Sequence, residues 1–396
     1  MNYLSGLITF MDLSYILNHL GEERELYFNA VSPPIIQSSN FASKTVADMR
    51  HTLQHEFEEP FYTRGYNPTI AILRKKLAAL EGAEDALAVS SGSAACALAI
   101  MANVKAGDHA ICVNKPYSWT NKLFNTLLKQ YGVETTMIDG ENPENFANAI
   151  KPNTKLIYLE SPNSLTFELQ DIEAVAKIAK AHNIVTIIDN SYCTPLYQKP
   201  IEMGIDITVH SGTKYLNGHS DIVAGVLCGS KEMITRIFAS ELMTYGSIIS
   251  PNDAWLMIRG LRTLPIRLEK SNTSAAEVVE FLEKHPKVEK VLYPFSKSFP
   301  QYDLAKKQMK GCGGLFSILL KVDNIAQVET FCNSLERFLL ACSWGGHESL
   351  LFPSCSLLSS QSYDNPYIKW NMIRFYVGLE EPEVLIADLQ QALEKI

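Results

Sequence analysis

Lys214 follows a short apolar run, Ile205 to His210, through two small hydroxyl residues, Ser211 and Thr213. A lysine at the surface snorkels and keeps its charge in water. One placed at the end of a buried strand is desolvated; its pKa falls and the neutral amine becomes a nucleophile for a carbonyl carbon. The flanking hydroxyls suit phosphate oxygens. Asp189 closes another apolar run, IVTIIDN, 25 residues before Lys214, which leaves room for one turn and one strand. A carboxylate there is costly to bury unless something pairs with it. It reads either as a cap on the following turn or as the group that keeps a pyridine nitrogen protonated, making such a ring an electron sink. The third feature is Ser90-Ser91-Gly92-Ser93, where the run ALAVS meets a helical stretch. Free N–H groups at a helix start, with a glycine permitting close approach, form an anion site. Each feature is weak by itself, but three at strand ends within one stretch of chain point to one site.

The elements that must position these residues begin near residue 70. IAILRKKLAALEG is an amphipathic helix ending at Gly82. The runs ALAVS, HAICVN, ETTMID, KLIYLES, IVTIIDN and ITVHS then alternate with helical stretches. Short strands separated by helices read as βαβ units of a mostly parallel sheet, and such sheets bind ligands at the carboxyl ends of their strands. This predicts an α/β domain over residues 59–252. An α+β domain follows over 253–396: helices NDAWLMIRGLRTLPIRLEKS and TSAAEVVEFLEKH, strands GLFSILLKV and MIRFYVGL, and a closing helix. Residues 1–58 hold one helical patch, Leu13 to Leu20, and an extended stretch, AVSPPIIQSSNFAS, whose adjacent prolines argue against a packed domain. An arm lying on a neighbouring subunit fits that segment.

A length of 396 residues exceeds what one core usually supports. The formal charge of −8 argues against nucleic acid or an anionic membrane as the main partner. No apolar run approaches the roughly 20 residues needed to span a bilayer. MNYLSGLITFM lacks the basic start and small-residue cleavage site of a secretory signal. The cytoplasm is therefore expected, with Met11 as an alternative start to Met1. The eight cysteines form no C-x-x-C pair and sit mostly in apolar runs, which predicts reduced core cysteines, with neither disulfides nor zinc. His51 and His55 stand at i, i+4 without a recognisable third ligand, so no metal is expected. His210 and His219, flanking Lys214, read as structural hydrogen-bonders.

From about residue 30 to the C-terminus, the ordered motifs YTRGYNPT, SSGSAA, ESPNS, IDNSYCTP, SGTKYLNGHSD, GLRTL, SWGGHESL and IRFYVGLEE resemble the Cys/Met-metabolism family of pyridoxal-phosphate enzymes. That family includes cystathionine γ-synthase, cystathionine β- and γ-lyases and methionine γ-lyase. The resemblance implies a fold type I transferase-like α/β architecture with a smaller α+β C-terminal domain, and pyridoxal 5′-phosphate as cofactor. It makes Lys214 the Schiff-base lysine and proton shuttle, and Asp189 the partner of the pyridinium nitrogen. Gly92, Ser93, Ser211 and Thr213 are implied to cradle the phosphate. Tyr62 and Arg64 are implied to reach the phosphate of a neighbouring subunit, a role suited to the forked guanidinium, in a homotetramer built as a dimer of active dimers. Tyr117 is implied to stack on the ring and assist proton transfer. Arg374 and Ser343 are implied to bind the substrate α-carboxylate, Arg374 as a two-pronged pair. Ser164 stands where the family has an asparagine touching the cofactor's phenolic oxygen.

The substrate expected is a sulfur-containing amino acid. Where γ-synthases and many γ-lyases carry a glutamate suited to a distal ammonium, this chain has Cys342. Trp344 gives SWGG, which resembles bacterial cystathionine β-lyases, as does the Pro-x-Ser of Pro162-Asn163-Ser164. Methionine γ-lyases place a cysteine two residues after the stacking tyrosine; here that residue is Trp119. YTRGYNPT, by contrast, follows the wider family. The reading is β-elimination of L-cystathionine to homocysteine, pyruvate and ammonia. γ-Elimination or γ-replacement is the alternative within enzymes, and a non-catalytic pyridoxal-phosphate-binding regulator the alternative outside them.

Overall fold

Two sheets organise the chain, whose computed structural model describes residues 12–357 and 368–396. The alternative starts Met1 and Met11 lie outside the described residues. The larger sheet contains β1 (Asp85–Val89), β2 (His109–Val113), β3 (Glu134–Ile138), β4 (Thr154–Glu160), β5 (Val185–Asp189), β6 (Ile207–Ser211) and β7 (Gly225–Gly229), in the order β1-β7-β6-β5-β4-β2-β3. Neighbours from β6 through β3 run parallel, while β7 is antiparallel to both β1 and β6. β2 and β7 are buried along their whole length, as expected of strands covered on both faces. Side chains alternate between those faces. Tyr158, Ile187 and Val209 join one core cluster, and Leu159 and Ile188 another.

Helices enter and leave this sheet with sequence-encoded caps. Helix α1 spans Leu13–Asn18, α2 Val46–Gln54, α3 Pro68–Glu81 and α4 Gly92–Met101. In α3, Pro68 occupies the first turn, Asn67 accepts the Thr69 N–H, and Gly82 at φ +76° ends the helix. In α4, the Ser91 hydroxyl accepts the Ala94 N–H at 3.0 Å, which leaves the first N–H groups of the helix directed outward.

The smaller sheet contains β8 (Val288–Leu292), β9 (Leu315–Leu320), β10 (Leu339–Leu340), β11 (Leu350–Pro353) and β12 (Met372–Tyr376), in the order β10-β11-β12-β9-β8. The two helical segments expected after residue 252 are one helix, Pro251–Lys284, with Pro265 inside it. The expected boundary at 252/253 falls in that helix's first turn. One core cluster runs from Leu17 through Leu73 and Leu261 to Phe316 and Leu389, so the two sheets share packing.

The expected arm divides in two. Ile16 and Leu17 of α1 are buried in the chain's own core, and Lys76 of α3 donates to their carbonyls at 3.0 and 3.1 Å. The start of the segment expected on a neighbour therefore packs on its own chain. Beyond it, α2 buries no residue, and Phe28, Val31 and Val46 are 101%, 82% and 75% exposed. Among the described residues, no helix is long and apolar enough to cross a membrane.

Candidate active site

Parallel strands bring their carboxyl ends to one edge, where Gly92, Ser93, Asp189, Ser211, Thr213 and Lys214 gather. The turn after β1 starts α4 against the end of β6. A Cβ on Gly92 would stand 2.9 Å from the Ser211 Cβ, and one on Gly225 would stand 1.9 Å from the Ser91 carbonyl oxygen. Only glycines allow this approach, which sets the α4 N-terminus beside Ser211. Ser93 is exposed and Ser211 partly buried. The Ser211 N–H donates to the Ser191 hydroxyl at 2.6 Å. The Thr213 hydroxyl donates to the Ala224 carbonyl at 3.2 Å and accepts the Ala224 N–H at 3.0 Å, which fixes its position.

Lys214 reaches from this edge toward the smaller sheet. Its Nζ donates to the Ser343 Oγ at 2.5 Å and lies 5.5 Å from the Trp344 ring. Burial, and then the Arg374 cation, pull its pKa down to about 8; Cys342 and Asp189 oppose the shift. Arg374, on β12, donates to the Ser343 carbonyl at 3.5 Å and lies over the Phe352 ring. Ser343 holds φ at +78°, in the left-handed region that strains a non-glycine residue. Cys342 is exposed beside this group, against the expectation of core cysteines; Cys355 is partly buried and the other six are buried. The loop that turns out Ser343 also turns out its neighbour.

Two carboxylates close β4 and β5. Asp189 accepts the Ser191 N–H at 2.9 Å, and burial raises its pKa against the Ser191 hydrogen bonds, His210 and Lys214. Glu160 pairs with Asp189 in the strand register. Its carboxylate accepts the Tyr117 N–H at 2.6 Å and the Ser164 hydroxyl at 2.5 Å. Burial, then Asp189, push its pKa up to about 8. Ser164 is thus engaged by protein. The Tyr117 phenol, hydrogen-bonded by Ser93, is raised by burial. Sequence reasoning missed Glu160 as a site residue, although KLIYLES ends on a carboxylate much as IVTIIDN does.

Tyr62 and Arg64 are exposed, with Arg64 lying 5.5 Å from the Tyr62 ring centroid. Among the described residues, neither hydrogen-bonds with the cluster around Lys214. His210 points to the opposite face of the sheet, where its Nε2 meets Glu81 at 2.7 Å. The His219 ring meets the Asn217 carbonyl at 2.7 Å. His51 contacts exposed Glu59 at 3.0 Å. No group of three or more metal-ligating side chains occurs among the described residues.

The gathered set fits pyridoxal phosphate. A glycine-tight helix N-terminus with adjacent hydroxyls suits the phosphate. A desolvated lysine suits the aldehyde, and a buried carboxylate on the same edge suits the ring nitrogen.

Comparison with known proteins extends this fit to the whole chain. A family model described as Cys/Met metabolism PLP-dependent enzyme matches residues 15–394. An L-methionine gamma-lyase from Treponema denticola is 41% identical over 390 residues, covering 96% of each chain. A cystathionine gamma-lyase from Bos taurus is 38% identical over 95% of this chain and 92% of its own. The crystal structure of metB from Corynebacterium glutamicum superposes with a TM-score of 0.90 at 36% identity, over 97% of this chain and 98% of that one.

Proposed function

The chain belongs to the Cys/Met-metabolism family of pyridoxal-phosphate-dependent enzymes, and on that premise we propose that it is a carbon–sulfur lyase acting on sulfur-containing amino acids. What supports this most is the meeting of Lys214, Ser343 and Arg374, from three separate segments, around one desolvated amine. Pyridoxal phosphate, when bound, supplies a carbonyl for an amine and a protonated ring that takes up the electron pair left at the substrate α-carbon.

The chain's own residues do the rest. Gly92, Ser93, Ser211 and Thr213 hold the phosphate through the α4 N-terminus and side-chain hydroxyls. Asp189 keeps the ring nitrogen protonated. Arg374 binds the substrate α-carboxylate with Ser343 beside it, which fixes the α-carbon over Lys214. Lys214, its amine pKa pulled down to about 8, takes the α-proton in its neutral form. Tyr117 covers the ring and holds its phenolic proton near Ser93. Trp344 walls the side-chain end of the pocket.

The proposed reaction is β-elimination: L-cystathionine and water give homocysteine, pyruvate and ammonia. Its support is the Cys342-Ser343-Trp344 segment beside Lys214, which brings no carboxylate for a distal ammonium. γ-Elimination is the second reading, favoured by the names of the methionine and cystathionine gamma-lyases to which the chain is similar. The assembly proposed is a cytoplasmic dimer of active dimers, with Tyr62 and Arg64 reaching a neighbour's phosphate site. The exposed Phe28, Val31 and Val46 fit an arm on that neighbour. The domains proposed remain 59–252 and 253–396.

Product analysis with L-cystathionine tests the reaction. Pyruvate with homocysteine supports β-elimination. 2-Oxobutyrate with cysteine overturns it in favour of the second reading, and no product from cystathionine or methionine removes the lyase reading altogether.

A further inference from the structure

Glu160 and Asp189 are register partners at the ends of β4 and β5, strands that lie about 4.8 Å apart. By alternation both point to the face occupied by Tyr158 and Ile187. Two neighbouring carboxylates, one buried and one partly buried, do not both ionise without a cation between them, and a single ring cation answers one charge. Nearby positive charge decides which carboxylate keeps it. Asp189 takes donors from Ser191 and feels the positive charge of Lys214. Glu160 accepts the backbone N–H groups of Tyr117 and Ser164, and its third partner, the Ser164 hydroxyl, can turn to accept instead. Among the described residues, titratable groups whose charges couple to Glu160 include Tyr158 from its own strand, Cys112 from β2, Cys96 from α4 and Tyr117. Burial raises all four and keeps them neutral, so none adds a further negative charge.

We propose that Glu160 is a positioning residue that works as a neutral carboxylic acid, holding the Tyr117 backbone and the Ser164 hydroxyl in place while leaving Asp189 as the single negative charge for the ring nitrogen. Its proton keeps a second anion from competing for that cation. The Tyr117 N–H, donating to the same carboxyl, ties the backbone of the residue covering the ring to the strand that ends beside Asp189. The elevation of the Glu160 carboxyl to about 8 agrees with this role. The inference rests on the reading of Asp189 as the ring partner.

The test uses the holoenzyme at neutral pH, with infrared spectroscopy of its protonated carboxyls and pyridoxal-phosphate dissociation constants for wild type and variants. The expected result is a carboxylic-acid carbonyl band that disappears in Glu160→Gln. That variant, an amide with the same donor and acceptor pattern, keeps cofactor affinity within about threefold, whereas Glu160→Ala, which strands two polar partners, loses about tenfold or more. Absence of the band, or a Gln variant as weak as the Ala variant, overturns the proposal. Should the Ala variant fail to fold, the band and the Gln variant still decide. Asp189→Ala binding cofactor as tightly as wild type would instead overturn the reading beneath it, a failure distinct from that of Glu160.

Discussion

Among the described residues, two of the places where charge is buried are built differently. Where α1, α3 and the helix Pro251–Lys284 meet, Glu22 pairs with Arg24 at 3.0 Å, Lys76 at 3.1 Å and Arg262 at 3.0 Å. Lys76, fully buried, also donates to the Ile16 and Leu17 carbonyls. Every group there has a partner within the protein, and the result is a clasp on the N-terminal segment. At the carboxyl edge of the larger sheet the pattern reverses. Two carboxylates stand side by side, and the Lys214 amine meets a hydroxyl rather than an anion, with Arg374 adding a like charge. Buried charge answered by protein holds the chain together. Buried charge whose answer is left to a ligand marks the site.

Four experiments break or sharpen this contrast. Lys214→Ala should lower turnover by about a thousandfold, since it removes the group that moves the α-proton, while the thermal midpoint stays near that of wild type. Steady-state kinetics beside a melting curve reads both. Glu22→Ala should do the opposite. It leaves Lys76 buried without its anion and should cost about 3 kcal/mol of stability by denaturant titration, with the cofactor's absorbance intact below the transition.

The third concerns pH. Lys214 is lowered from 10.5 to about 8, so the neutral amine becomes available as pH rises through about 8 and is lost below it. The rate at which cofactor-free protein captures pyridoxal phosphate should therefore rise with pH to a plateau, with its midpoint near 8. A midpoint near that of an ordinary lysine would erase the distinction between the two regions. The smallest effect is expected for Arg374→Lys. A compact ammonium cannot form the two-pronged carboxylate pair, so KM should rise about tenfold with a lesser change in kcat.

Much of the site was legible because its residues sit where strand patterns stop. Asp189, Ser211 and Lys214 interrupt or follow short apolar runs, and Gly92 follows ALAVS, so pattern and polarity agree on the edge. β7 was not read as a strand, since glycines stand at both of its ends and its antiparallel pairing is decided by β1 and β6, far away in sequence. The two helical segments divided at Asn272 are one helix; burial of Ser271, Ser274 and Ala275 carries it through that stretch, and burial of Leu261, Leu264 and Leu268 carries it through Pro265. Glu160 escaped notice because its meaning lies in the register that sets it opposite Asp189, and register is non-local information. The inward docking of α1 was hidden for the same reason, since Lys76 and Glu22 lie far apart in sequence from Arg262.

The most direct test of the central claim is borohydride reduction of the holoenzyme followed by peptide mapping. The account predicts loss of the absorbance near the visible edge and a pyridoxyl mass on the peptide containing Lys214, with neither change in Lys214→Ala. A label on another lysine, or absorbance that borohydride leaves untouched, would contradict it.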